Sequence, residues 1–108
     1  EAVAADPDAA RVLKIIESSA DLGNFGGYRG VCEIGLGIEA FTPQPGARPA
    51  AGRPGERSHS PTVAITTFVA AEVPSAGLEA LLAALAAAHP WEVPVIEVSA
   101  VTLVRRAP

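Results

Sequence analysis

The densest functional chemistry in the chain is the run His89-Pro90-Trp91-Glu92-Val93-Pro94. An imidazole, an indole and a carboxylate sit beside two prolines, each of which fixes φ and removes a backbone donor. His89 and Glu92 are metal-ligand types, and Cys32 is the one soft ligand the chain can add. That trio would suit a divalent cation such as copper or zinc. No recognised ligand spacing supports it, because C-x-x-C and H-E-x-x-H are both absent and the only other histidine is His59. The competing reading is structural. His89 then ends a helix, where a donor or cation is favoured, and Trp91 packs with its N–H satisfied.

A second candidate is Gly23-Asn24-Phe25-Gly26-Gly27. Its backbone amides could form an anion-binding nest, or the glycines could simply make a turn. Asn24 and Phe25 therefore join His89, Trp91 and Glu92 as ligand or interface residues. Cys32 falls on the apolar side of an alternating segment and reads equally as a small buried hydrophobe. No catalytic set can be drawn. Ser58, His59 and Ser60 adjoin one another in a loop, but the aspartates all lie within the first 21 positions. An autonomous enzyme is not expected.

Composition narrows the partners. The 108 residues are 49% hydrophobic and 19% charged, enough for one domain with an aliphatic core. The net charge of −4 disfavours nucleic acid and anionic membranes, which need clustered Lys and Arg. Arg48, Arg53 and Arg57 do cluster, in a Pro/Gly-rich loop that reads as solvated. A single cysteine excludes an internal disulfide and fits a cytoplasmic setting. No run approaches the roughly 20 apolar residues that span a bilayer. No signal-peptide pattern opens the chain, whose first residues include Glu1, Asp6 and Asp8.

The elements that must position these groups follow from pattern. Asp6-Pro7 is a helix start, and Ala9, Val12, Leu13, Ile16 and Ala20 give one apolar stripe ending before Gly23. Residues 28–41 alternate, with Cys32, Ile34, Leu36 and Ile38 on one face and Arg29, Glu33 and Glu39 on the other. Residues 42–61 hold prolines and glycines throughout and read as a long loop. Residues 62–73 are β-branched and read as a strand. Pro74-Ser75 opens a second helix with Leu78, Leu81, Leu82 and Leu85 at helical spacing, and His89-Pro90 ends it. A last strand is predicted from about Val93 to Val104. With a short strand in residues 1–5 the order is β-α-β-β-α-β. The predicted class is α+β: a ferredoxin-like sandwich in a single domain over 1–108, with two helices on one face of an antiparallel sheet. The other face is then bare, and apolar residues such as Phe68, Val101 and Leu103 imply an oligomer that covers it.

Several motifs in this order resemble a known family. They are Leu22-Gly23-Asn24-Phe25, Cys32, Gly35-x-Gly37, Phe41-x-Pro43, Gly46-Ala47-x-Pro49, Gly52-x-x-Gly55 and His89-Pro90-Trp91-Glu92-Val93-Pro94. Together they resemble the YqfO-type domain found alone or inserted in the Nif-three-like dinuclear-metal proteins. The last motif is also similar to the H-P-Y-E-V-P of the CutA family, associated with divalent-cation tolerance. Both families imply a PII-like trimer. The chain departs from them at Phe25 and Trp91, where the families carry tyrosine, and two extra residues separate Gly37 from Phe41. Val93 replaces the second glutamate of the YqfO-type motif, and Val95 replaces an acidic residue of CutA.

Three functions are thus expected in turn. The first is a non-catalytic trimeric PII/CutA-like domain with a regulatory, scaffolding or metal-tolerance role. The second is an accessory insert of a larger Nif-three-like metal-dependent protein. The third is direct copper or zinc binding through His89, Glu92 and Cys32.

Overall fold

The computed structural model describes residues 6–49, 52–91 and 93–104. The fold is α+β, with the order α1 (Pro7–Ser18), β1 (Cys32–Phe41), β2 (Ser58–Thr67) and α2 (Ser75–Ala88). The predicted strand in residues 1–5 lies outside the described residues.

Both helices form where the sequence pattern places them. The Asp6 carboxylate caps α1 by accepting from the amides of Asp8 at 2.9 Å and Ala9 at 3.3 Å, and Pro7 takes the first helical position. We expect Asp6→Ala to cost about 1 kcal/mol and to lower the thermal midpoint by about 5 °C. Circular dichroism melting checks this, and an unchanged midpoint would assign the cap no energetic weight. The helix stops at Ser18. Beyond it the Ser19 hydroxyl accepts from the amides of Asp21 and Leu22 and turns the chain. In α2 the four leucines are half-buried and no residue is fully buried. The helices pack on one another. The buried apolar core among the described residues is small: Ala9, Ile16 and Leu22, with Ile16 only 2% exposed.

The sheet differs from the predicted one. It is a two-stranded antiparallel ribbon in which Cys32 faces Thr67 and Phe41 faces Ser58. Directly opposed residues share a face. One face therefore carries Ile34, Leu36 and Ile38 with Ile65, Val63 and Pro61. The other carries Glu33, Gly35, Gly37 and Glu39 with Thr66, Ala64, Thr62 and Ser60. Neither helix makes more than slight contact with the ribbon, so the predicted cover of two helices on one sheet face is not formed.

The strand limits shift for local reasons. β1 starts at Cys32 rather than residue 28, because a turn intervenes in which Phe25 N–H donates to the Tyr28 carbonyl at 2.9 Å and Gly30 has φ +65°. β2 starts at Ser58 and ends at Thr67, not 62 and 73, because it follows the length of β1. The loop shortens to 42–57. It is closed at its base by Gly55 N–H donating to the Pro43 carbonyl at 2.7 Å.

Residues 93–104 are not paired as the predicted last strand. They join no sheet, and none of the backbone hydrogen bonds among the described residues involves them. Of the predicted four-stranded β-α-β-β-α-β layer, the described residues form one hairpin and two helices. The chain is accordingly extended, 55 × 32 × 23 Å, with a radius of gyration of 16.1 Å. A compact domain of this length would have about 13 Å.

Candidate functional site

The corner after α2 is built from its own parts. The His89 backbone amide donates to the carbonyls of Leu85 at 3.1 Å and Ala86 at 3.3 Å, ending the helix. Its side chain is held against Trp91. Nδ1 accepts from the Trp91 backbone amide at 3.2 Å. The imidazole meets the indole edge-on, with ring centroids 4.9 Å apart at 64°. Nδ1 is therefore the acceptor, which puts the proton of the neutral imidazole on Nε2; a metal at Nε2 would have to displace that proton and break the bond from the Trp91 amide. Glu92 lies outside the described residues. Among the described residues, no three His, Cys, Asp or Glu side chains come together in a group able to hold a metal. We expect His89→Ala to remove both the amide cap and the ring contact and to cost about 1–2 kcal/mol. Thermal unfolding followed by the fluorescence of the single tryptophan measures it, and no change in midpoint would show that the corner holds without the imidazole.

The glycine-rich turn is docked on the end of the ribbon. Gly23 N–H donates to the Phe68 carbonyl at 2.7 Å, and Val31 N–H donates to the Gly23 carbonyl at 3.1 Å. Asn24 is used on both sides: its Nδ2 donates to the Ala20 carbonyl and its Oδ1 accepts from Gly26 N–H, each at 2.9 Å. The Phe25 ring meets Phe68 edge-on at 6.1 Å. The amides of Gly23, Phe25, Gly26 and Gly27 all donate within the chain. Of the two sequence readings, the hydrogen bonds describe the turn and leave few amides for an anion. Sequence reasoning missed the receptors of this turn, Val31 and Phe68. Alternation reports which way a side chain points and says nothing of which loop lands on a strand end.

The remaining candidates are dispersed. Cys32 is a free, half-buried thiol at the start of β1. His59 is exposed on β2, opposite Ala40. Arg57 donates to the Thr42 hydroxyl at 3.4 Å, and Arg53 lies 3.9 Å from Glu56. The structure thus brings His89 to Trp91 and Asn24 to the Phe25 turn. It does not assemble a reactive centre from them.

The feature that does stand out is apolar and exposed. Leu36 is 72% and Ile38 75% exposed on one ribbon face. Val93, Val95, Val98, Val101, Leu103 and Val104 are exposed along the C-terminal segment. Comparison with known proteins finds no family model, no curated protein and no solved structure that matches the chain. No described helix is long and apolar enough to cross a membrane.

Proposed function

We propose that the chain is a non-catalytic assembly module. In this reading it is a ferredoxin-like, PII/CutA-like subunit, working as a cytoplasmic homotrimer in a regulatory, scaffolding or metal-tolerance role. The same surface would serve whether the subunit acts alone or within a larger Nif-three-like protein.

The observation that carries the reading is the wet apolar face of the ribbon, Ile34, Leu36 and Ile38. The accessible surface agrees with it. The chain exposes 8070 Å², against about 5,600 Å² for a compact monomer of its mass. Water leaves such apolar area favourably when a like surface covers it.

Light scattering at tens of micromolar tests the proposal. The expected mass is three times the 11.0 kDa of one chain. A single-chain mass withdraws the reading. Zinc titration of the wild type against His89→Ala then separates the roles. Different heats support a metal-tolerance role in which His89 takes part, and identical heats leave only regulation or scaffolding.

A further inference from the structure

The C-terminal segment and the ribbon have matching deficits. Residues 95–104 are all exposed and have no backbone hydrogen bond to the described residues. Their composition is that of a strand: Val95, Ile96, Val98, Val101, Thr102, Leu103 and Val104 are β-branched or aliphatic. Ile96, Val98, Ala100 and Val104 fall on one side at period two. Ten residues of arm match the ten residues of β1. The ribbon in turn leaves the outer edges of both strands unpaired. β2 contains Pro61, which has no N–H and is a residue that sheets confine to edge strands, and its carbonyl accepts from the Ser60 hydroxyl at 3.3 Å. The β1 edge has no proline, so each of the alternate residues whose backbone faces outward along it can pair.

Resting on the assembly reading above, we propose that residues 95–104 add as a strand to the β1 edge of a second copy of this chain. The occupant of each copy's β1 edge is then the arm of a neighbour. Strand addition satisfies backbone groups on both partners at once. With its even-numbered side chains on the apolar side, the arm sets Ile96 and Val98 in line with Ile34, Leu36 and Ile38 and widens the apolar face that assembly then covers. The arm is held loosely on its own chain. Between Val98 and Val101 on one side, and Phe68, Val73 and Leu78 on the other, lies an open groove of about 350 Å³. A segment filed against its own core would leave no such gap.

Disulfide trapping between two kinds of chain tests this. In a Cys32→Ser background, one chain carries Leu36→Cys and a longer, tagged chain carries Ile96→Cys, Val98→Cys or Ala100→Cys in turn. The two are unfolded together, refolded and oxidised. The expected result is a covalent pair of one tagged and one untagged chain for at least one arm position. A chain carrying both cysteines that closes on itself, running as a single chain on a non-reducing gel, overturns the proposal, because the arm then folds onto its own ribbon. Absence of any cross-link at all three positions overturns it too. Amide exchange in the unsubstituted protein gives a second measure: protection over 95–104 should rise with protein concentration, and concentration-independent protection counts against exchange. If the wild type scatters as one chain, the assembly reading fails along with this one. If it scatters as a trimer while the arm closes in cis, only the exchange fails.

Discussion

Replacing Leu36 and Ile38 together with aspartate is expected to leave the chain monomeric at concentrations where the wild type assembles. Both side chains are mostly exposed on the same ribbon face, so the folded single chain loses little. In an assembly each is buried, and each contributes about 1.5–3 kcal/mol of burial. A carboxylate in the same place must also be stripped of water. Together these should weaken association by at least about a thousandfold. Sedimentation velocity across a concentration series reads the effect. Thr66→Asp, exposed on the opposite face, is the matched control and should assemble normally. If both variants assemble like the wild type, this face is not the interface. If both are monomeric, charge rather than face is responsible.

The second large effect is expected at Gly23. Its φ is +63°, a region that costs a residue with a side chain about 1–2 kcal/mol. A Cβ built there would overlap the backbone nitrogen and oxygen of Val31. The clash cannot be relieved by rotating a side chain, because what it meets is main chain. Backing away would loosen the bonds from Gly23 to Phe68 and from Val31 to Gly23, worth about 1 kcal/mol each. Gly23→Ala should therefore lose about 3–4 kcal/mol and about 15–25 °C in thermal midpoint. Gly27→Ala is the contrast. It has open space around its Cβ position and no positive φ, and it should change stability by less than about 0.5 kcal/mol. Urea unfolding of the pair measures the difference. Equal stabilities would mean that the turn does not dock on the ribbon as described.

The parts of this fold that are local in origin were legible in the sequence. Asp6-Pro7 announces α1, because the cap and the proline act within one turn. The leucines of α2 do the same for a helix that His89 closes. The strands were legible in kind and not in extent. Nothing in residues 58–61 reads as strand, since Ser58, His59, Ser60 and Pro61 have little β-propensity. They are drawn into β2 because Phe41, Ala40, Glu39 and Ile38 stand opposite. Pairing is a property of two segments, and a pass along one segment cannot contain it.

The same limit explains the site. His89 and Trp91 are two residues apart, and their contact was within reach of sequence. Gly23 reaches Phe68 across a separation that no spacing rule covers. Residues 93–104 show the converse case: a segment with strand composition past Pro94, and no strand partner among the described residues. Periodicity states what a segment can bury, while the fold decides what it buries against.

Pro61 carries one last consequence. A ribbon with a clean margin on each side could stack without end into a cross-β fibre. Here one strand of the ribbon carries an imino acid, a residue that works against continued pairing in a sheet. Substituting that ring with threonine would restore a donor and remove the block. Solubility on long storage is thus expected to fall on Pro61→Thr, at a position remote from every group that looked reactive.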